Sequence, residues 1–426
     1  MEREEKLMKS NKWKFLLTGA ATLTLLTACT QASSQSATTN NTAQTTATST
    51  SNSKTDSSNY FTDKDKDTSY DESTASTVKL SGSSASVSGD GVAVSGDTVT
   101  ISKAGTYVIS GESNGVQIKV EAGDSDDVHI VLKGVTMTNT NAPISATKAG
   151  HVYLTLADGT TNTLSDSSSN NDEDADSVIF SKGDLTINGS GTLNIDAKKN
   201  NGIKANDTLH ITGGTYKITS VGDAFNVNDE LNITGTTMTI DADEDAVKVD
   251  NDEDTSVGTM YLSDNTMTIS AGDDGIHASG DLVIDSGTYK VSESAEGLEG
   301  KSITINGGDI TIYATDDGVN AANANANQDE IFFTMNGGTL NVEVGQGDTD
   351  PIDSNGNVTV TGGTINLTGQ SGFDFDGTAT YTGGDIYING EKQTEIVNSM
   401  PGGGGAPGGG GPQGGGPGGG PQGGGH

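Results

Sequence analysis

"LHITGGTYKI", residues 209–218, and "LNITGTTMTI", residues 231–240, are two copies of one pattern. In the first copy, apolar residues alternate with polar ones: Leu209, Ile211, Tyr216 and Ile218. Successive side chains of a strand point to opposite faces, so the pattern predicts two short strands that each bury one face. The strands meet at Gly213-Gly214. Glycine suits such a corner because positive φ angles cost it little.

The pattern recurs along the chain. Its copies start at residues 185, 209, 231, 260, 282, 303, 333, 358 and 379, so successive starts lie 21 to 30 residues apart. A period of about 22 with insertions is the length of one coil of a parallel β-helix, and the gaps between strands leave no room for a helix. The sequence therefore predicts an all-β, single-stranded parallel β-helix over residues 77–395. Its less regular start, residues 77–184, would cap the solenoid. A sandwich of ordinary hairpins is the alternative.

The composition limits the possible partners. The 426-residue chain contains 60 glycines, is 31% hydrophobic and carries a formal net charge of -36, with Arg3 as its one arginine. These values are typical of a repetitive β-rich surface protein. They exclude nucleic acid as a partner, because a polyanion would be repelled.

The two ends of the chain differ in composition from the repeats. Residues 1–28 combine a basic start with a short apolar run, as a secretory signal does, and the following "LTAC" motif resembles a lipobox. We expect a lipoprotein signal peptide and a lipid anchor at Cys29, on the extracellular face of a bacterial cell membrane; an ordinary secretory signal is the alternative. The polar residues 29–76 and the Gly/Pro-rich residues 396–426 are predicted to be a disordered linker and tail. Since Cys29 is the only cysteine, no intrachain disulfide forms.

Acidic residues occupy matching positions in consecutive repeats. Fourteen residues past the start of five copies lie Asp223, Asp245, Asp274, Glu296 and Asp317. A longer loop brings Asp350 to the same position, and each acid is followed by Ala, Gly or Pro. Further acids precede this position in some repeats: Asp243, Glu244, Asp273 and Asp316.

Stacked coils would bring these carboxylates close together. Neighbouring strands are about 4.8 Å apart, and like charges at about 5 Å repel by roughly 1 kcal/mol in water or about 3 kcal/mol at a dielectric constant of 20. A shared cation would relieve this repulsion, and Ca²⁺ is favoured because its ligands are oxygens in a flexible shell. Zinc or copper would require histidine or cysteine, and His277 is the only histidine beside the column. The alternative is a set of ordinary Asp-Gly turns.

Several phrases in order resemble one known family. "VHIVLKGVTMTN", "GTTNTLSD", "SKGDLTINGSGTLNI" and the later "DDGI" and "DDGV" corners look like the calcium-binding, polysaccharide-lyase-like β-helix family of bacterial carbohydrate-binding domain proteins. The resemblance implies a right-handed parallel β-helix, bound calcium, and binding of pectic and cellulosic polysaccharides. It implies metal ligation at the matching acidic corners: Asp223, Asp245, Asp273, Asp274, Asp316 and Asp317. The Glu296 repeat departs from the paired-acid pattern, which puts a metal there in doubt.

The predicted function is a calcium-binding, monomeric surface lipoprotein that binds a polysaccharide, either acidic and polygalacturonate-like or cellulosic, without cleaving it. A calcium-dependent lyase is one alternative, and a solenoid that calcium merely stiffens is another. The predicted mature chain has no arginine to act as a base, which leaves Lys204, Lys248 and Lys301, whose simpler role is charge balance. A glycosidase-like carboxylate pair also stays open among so many acids. Aromatic sugar platforms are few, and Tyr313 is predicted to face outward.

Overall fold

The computed structural model describes residues 57–399 except residues 252, 255 and 348. Within these residues the chain forms one 3-10 helix, Ser57–Asn59, and 36 strands. The first ten are β1 (Ser76–Gly82), β2 (Ser84–Ser88), β3 (Val92–Ser95), β4 (Thr98–Ile101), β5 (Gly105–Asn114), β6 (Gln117–Glu121), β7 (Asp127–Thr138), β8 (Ile144–Lys148), β9 (His151–Leu156) and β10 (Thr161–Ser165). No helix in the described part has the length and apolar character needed to cross a membrane.

The remaining strands follow a regular order. They are β11 (Ser177–Ser181), β12 (Leu185–Gly189), β13 (Thr192–Ala197), β14 (Asn201–Ala205), β15 (Thr208–Thr212), β16 (Thr215–Ser220), β17 (Phe225–Val227), β18 (Glu230–Thr234), β19 (Thr237–Ala242), β20 (Val247–Val249), β21 (Thr259–Ser263), β22 (Asn265–Ala271), β23 (Ile276–Ile284), β24 (Gly287–Val291), β25 (Leu298–Ile305), β26 (Asp309–Ala314), β27 (Val319–Ala321), β28 (Phe332–Met335), β29 (Thr339–Val344), β30 (Ile352–Ser354), β31 (Asn357–Val360), β32 (Thr364–Thr368), β33 (Phe373–Phe375), β34 (Ala379–Tyr381), β35 (Asp385–Ile388) and β36 (Glu391–Gln393).

Each coil visits three stacks of parallel strands, which we name faces A, B and C. In the coil β14–β15–β16, strand β14 belongs to face A, β15 to face B and β16 to face C, and each pairs in parallel with the strand three places later in the chain. In β23 and β25 a single long strand runs through faces A and B. This arrangement confirms the predicted parallel β-helix and excludes the hairpin sandwich, because strands within a coil are not antiparallel partners.

The apolar phase of every repeat fills the interior. Leu209 and Ile211 from face B and Tyr216 and Ile218 from face C are all buried, as predicted. The corner between these faces is turned by Gly213 and Gly214 at φ of 80° and 91°, which a side chain would strain.

Both ends of the solenoid carry antiparallel pairs. At the start, β2 pairs antiparallel with β1 and β3 with β4, before parallel stacking takes over. At the other end, β36 folds back antiparallel onto β35. These pairs occupy strand edges that the stacking leaves open, and an open edge invites pairing with another chain.

The predicted linker boundary at residue 76 differs from the structure. Residues 57–75, here called the strap, lie along face B, where Phe61 and Asp65 are buried. The Tyr60 ring stacks on that of Tyr261 with centroids 3.7 Å apart. Asn188 donates hydrogen bonds to the backbone carbonyls of Asp65 and Asp67, each at 3.1 Å. The strap is ordered despite its polar composition because side chains of face B satisfy its backbone. Residues 29–56, the predicted signal peptide and Cys29 lie outside the described residues, as do residues 400–426 of the predicted tail.

Candidate functional site

The predicted acidic positions form one column at the corner between faces C and A. Parallel pairing aligns the residue two places after each acid, and therefore the acids themselves. The column, in coil order, is Asp223, Asp245, Asp274, Glu296, Asp317 and Asp350. The register deduced from the repeat is thus present in the structure, including the longer loop before Asp350.

Three acids of the column accept backbone hydrogen bonds from the next coil. The Asp223 carboxylate accepts a bond from the backbone N–H of Asp245 at 3.0 Å. The Asp245 carboxylate does the same for Asp274 at 2.8 Å. The Asp317 carboxylate repeats the contact with Asp350 at 2.7 Å. Each of these aspartates caps the next coil, so these carboxylates have partners in the protein as well as a possible shared cation.

The residue after each acid is small because the backbone there is tightly packed. A Cβ on Gly297 would lie 2.3 Å from Cγ2 of Ile312 and 2.4 Å from the carbonyl oxygen of Gly318. A Cβ on Gly318 would lie 2.1 Å from Cγ1 of Val342. The backbone of the corner is therefore pressed against the core, which fixes the direction of the acid beside it.

A second column of side chains is formed by the residues three places after each acid in the chain. These residues occupy the outward position of the face A strands. Its members in coil order are Lys204, Asn226, Lys248, His277, Glu299, Asn320, Asp353 and Asp374. We call it the partner column, because its early members neutralise acids. Lys248 Nζ lies 2.7 Å from Asp245, and Asn226 donates to Asp223 at 2.5 Å. Sequence reasoning named Lys204, Lys248 and His277 but missed the column that they share, although the spacing of three residues from each acid was visible.

The middle of the corner forms a groove of about 330 Å³ that includes Asp274, His277, Glu296 and Glu299. His277 Nδ1 lies 3.0 Å from Asp274 and 2.7 Å from Glu299. Although burial opposes it, contact with these two carboxylates raises the pKa of His277 to about 10. Burial, with the charges of Glu299, Asp274 and Asp317 adding to it, raises the pKa of Glu296 to about 8.

Two overlapping sets of ligand atoms lie close enough here to hold a metal ion. Oxygen or nitrogen atoms of Asp245, Asp274 and His277 lie within 4.8 Å of one another. The carboxylates of Asp274, Glu296 and Glu299 satisfy the same limit. Lys248 and His277 lie against these carboxylates, so basic side chains of the protein neutralise part of the negative charge in the middle groove.

The C-terminal part of the corner forms a cavity of about 620 Å³, here called the acidic pocket. Its acids are Asp317, Asp350, Asp353, Asp374 and Asp376, and no lysine, arginine or histidine is among the described residues that line it. Burial and then the charges of Asp317, Asp374 and Asp350 raise the pKa of Asp353 to about 7. Burial and then the charges of Asp316, Asp350 and Asp374 raise the pKa of Asp317 to about 6.

Asn320 supplies an uncharged oxygen beside these acids. Its Nδ2 donates to both carboxylate oxygens of Glu296 at 3.1 Å. Its Oδ1 is buried and accepts no hydrogen bond from the described residues. Register places Asn320 next to Asp353 in the partner column. An orphaned amide oxygen beside clustered carboxylates is a donor set that suits a hard cation such as Ca²⁺.

The remaining predicted acids are exposed. Asp243, Glu244, Asp273 and Asp316 all point to solvent at the corner, and of these Asp273 and Asp316 border the middle groove. Lysines proposed as bases are ion-paired: Lys204 with Asp176 at 2.7 Å and Lys301 with Asp281 at 3.1 Å. These contacts agree with a charge-balancing role.

Comparison with known proteins assigns the chain to a family. The profile of the carbohydrate-binding domain-containing protein family matches residues 95–350 and 275–401, which together span most of the chain. The chain belongs to this family. The family match includes both columns of the corner and excludes the strap.

One protein sequence and one solved structure are similar to parts of this chain. A carbohydrate-binding domain-containing protein of Acetivibrio thermocellus is 36% identical over 124 residues, which are 28% of this chain and 43% of the relative. The matched stretch thus spans less than half of that relative. A solved structure, a gadolinium derivative of the polysaccharide lyase-like protein from C. thermocellum, is 25% identical with a TM-score of 0.44, covering 77% of this chain and 98% of the other.

Proposed function

We propose that this protein binds an acidic polysaccharide through calcium ions held at the acidic corner, and does not cleave it. Family membership supports glycan binding in general. The observation that carries the finer proposal is the acidic pocket, where Asp317, Asp350, Asp353 and Asp374 converge without a basic residue.

Calcium would occupy this pocket because carboxylate and amide oxygens are its preferred ligands. Asp353 and Asp374, with Asn320 Oδ1 beside them, would supply the ligands. A bound divalent ion would supply positive charge to a pocket whose described lining has no basic residue. The net charge of -36 repels an acidic polymer, so that charge would bridge the protein to uronate carboxylates.

The absence of cleavage is proposed from the basic residues. A lyase requires a base within hydrogen-bond reach of the sugar proton. Lys204, Lys248 and Lys301 are each ion-paired with an aspartate. Although burial opposes it, the hydrogen bond to Asp245 raises the pKa of Lys248, so this lysine stays protonated and cannot act as a base. Incubation with polygalacturonate and calcium should therefore release no unsaturated product that absorbs in the ultraviolet, and release of such product would establish a lyase instead.

The decisive experiment measures calcium and glycan binding in parallel. Calorimetric titration with CaCl₂ should show uptake that the double variant Asp353→Asn/Asp374→Asn loses. The exposed Asp241→Asn variant on β19 is the matched control and should behave as wild type. Retention on immobilised polygalacturonate should require calcium and disappear with a chelator. Equal retention with and without the chelator would refute calcium bridging, and calcium uptake without retention would leave only a stiffening role.

We also propose that the mature chain is a monomer held on the extracellular face of the cell membrane by a lipid on Cys29. The lipobox-like "LTAC" motif is the support for this anchor. Metabolic labelling with a tagged fatty acid should mark the wild type and leave Cys29→Ser unlabelled. Label on the serine variant would contradict the assignment.

A further inference from the structure

One outward column of face B changes character along the solenoid. Parallel register aligns a residue of β7 with one from each later strand of this face. The first part, here called the face B column, consists of His129, Tyr153, Thr186, His210, Asn232 and Tyr261. The positions that continue it are Val283, Thr304, Thr334, Thr359 and Thr380. Rings thus give way to the β-branched residues that are ordinary on a strand.

Every member of the face B column contacts the strap, and the contacts run in reverse coil order. The pairs are Tyr261 and Asn232 with Tyr60, His210 with Phe61 and Asp65, Thr186 with Asp65, Tyr153 with Lys64, and His129 with Tyr70. From Tyr60 to Asp65 the strap crosses three rungs, which is about 14 Å and requires an almost extended chain. The change in the column therefore coincides with the end of the strap.

Side chains of face B hold both the backbone and the side chains of the strap. Asn232 Nδ2 donates to the carbonyl oxygen of Tyr60 at 3.1 Å. The Asp65 carboxylate accepts from Thr186 Oγ1 at 2.6 Å, and His210 Nδ1 lies 3.2 Å from its other oxygen. Asp65 is only 1% exposed, and a buried carboxylate requires such partners. Donors for carbonyl oxygens, a pocket for a carboxylate and rings for stacking together form a site that fits a polypeptide.

The strap is bound to the solenoid without belonging to its core. Within the described chain, the main core cluster includes no residue of 57–75, and the strap forms no strand. The family profile begins at residue 95, so the features common to the family do not include a strap. The strap leads into β1 through a local turn, in which Thr74 and Ala75 donate their N–H groups to the Asp71 carbonyl oxygen. The coils can therefore keep their core when the strap moves away.

We propose that face B is a peptide-binding site and that the strap is a ligand bound there in cis, which can leave while the solenoid stays folded. The recognised pattern is the aromatic pair Tyr60-Phe61 with a carboxylate at Asp65. Once the strap leaves, the site is open to a segment of another polypeptide with the same pattern. Face B lies away from the corner between faces C and A, so the site is separate from the acidic corner. The inference does not rest on glycan or calcium binding.

The test uses the whole chain and a fluorescent peptide of residues 57–75. In the wild type the strap fills the site at a high effective concentration, so the peptide should bind very weakly. The double variant Tyr60→Ala/Asp65→Ala loosens its own strap and leaves face B unchanged. It should bind the peptide roughly a hundredfold more tightly than the wild type does. Fluorescence anisotropy measures both. Asp63→Ala, at an exposed strap position, is the matched control and should behave as wild type.

Two further variants test the specificity of the site. A peptide that carries Tyr60→Ala and Asp65→Ala should not bind the double variant. Adding His210→Ala to the double variant removes the contacts to Phe61 and Asp65, and should weaken binding of the original peptide at least about tenfold. Equal binding of the two peptides, or equal binding of the original peptide to wild type and double variant, would overturn the proposal.

The remaining outcomes separate this site from the proposed function. Far-ultraviolet circular dichroism should show the solenoid of the double variant folded as in the wild type. A folded double variant that binds no peptide at about 1 mM would overturn the proposal. A double variant whose solenoid unfolds would also overturn it, because the strap would then be part of the fold. Calcium uptake and retention on polygalacturonate should be the same in the double variant and the wild type, so a failure of calcium bridging leaves the peptide site standing.

Discussion

The Asp245 carboxylate connects two coils, because its Oδ1 accepts the backbone N–H of Asp274 at 2.8 Å. Its other oxygen holds Lys248 Nζ at 2.7 Å. Asp245 is buried, so both contacts form where water does not replace them. This aspartate is therefore structural first, and any cation would add to a contact that is already satisfied.

Removing the Asp245 carboxylate should destabilise the solenoid. Asp245→Ala leaves a buried N–H and a lysine without their acceptor, and should lower the free energy of unfolding by about 3 kcal/mol. Asp245→Asn keeps an oxygen for the N–H and should cost about half as much. Urea unfolding measures both. The exposed Asp241→Ala should stay within about 0.5 kcal/mol of wild type, and an equal loss in Asp241→Ala and Asp245→Ala would contradict the assigned role.

The strap should be held by an ion pair with a defined pH dependence. His210 Nδ1 lies 3.2 Å from Asp65, and Nε2 lies 3.6 Å from Glu230. Burial opposes the charge, but these acids raise the pKa of His210 to about 9. A raised histidine pKa stabilises the fold fully below about pH 6.5, and this stability is lost as the pH rises through about 9.

His210→Gln should therefore cost about 2 kcal/mol of unfolding free energy at pH 6 and almost nothing above pH 9.5. His129 is the control because its pKa shifts in the opposite direction from that of His210: burial lowers it. Its neutral form is the stable one, so His129→Gln should alter the pH dependence below about 6.5 instead. Unfolding curves between pH 5 and 10 compare the two. A His210 effect that does not change with pH would show that the pair is not charged.

The fold was predictable because all copies of the repeat align on the same pattern of apolar residues and glycines. Alternating apolar residues and glycine corners recur often enough to fix the coil and the acidic column without any structure. The partner column was not found, since Asp353 and Asp374 sit on outward strand positions that look like ordinary surface residues. The strap was missed because its composition is polar. Its one sequence signal is the adjacent pair Tyr60-Phe61, whose rings pack on face B. Long-range contacts of this kind leave no periodic trace.

The corner glycines should tolerate no side chain. Gly297→Ala forces a Cβ to within 2.4 Å of the Gly318 carbonyl oxygen, which belongs to the backbone and cannot move freely. We expect a loss of about 1–3 kcal/mol in unfolding free energy, as overpacking causes. Gly183→Ala is the matched control, because the nearest atom to its Cβ is Asp207 Oδ2 at 3.6 Å. Equal stability of the two variants would mean that the corner can relax.

Without calcium, the acidic pocket should weaken the fold as its acids ionise. Because the pKa of Asp353 is raised to about 7, its ionised form is disfavoured in the folded chain. Stability should therefore fall as the pH rises from about 4 through about 7. In chelator at pH 8, Asp353→Asn should increase the unfolding free energy by about 1–2 kcal/mol, a value reduced for partial exposure to solvent. Saturating calcium should make the wild type more stable than Asp353→Asn. A ligand at about 100 times its dissociation constant adds about 2.7 kcal/mol to the unfolding free energy of the wild type and little to that of the variant. Thermal unfolding in chelator and in calcium shows whether the wild type or Asp353→Asn is the more stable in each condition. A wild type that is more stable than the variant in both conditions would show that the pocket carries no uncompensated charge.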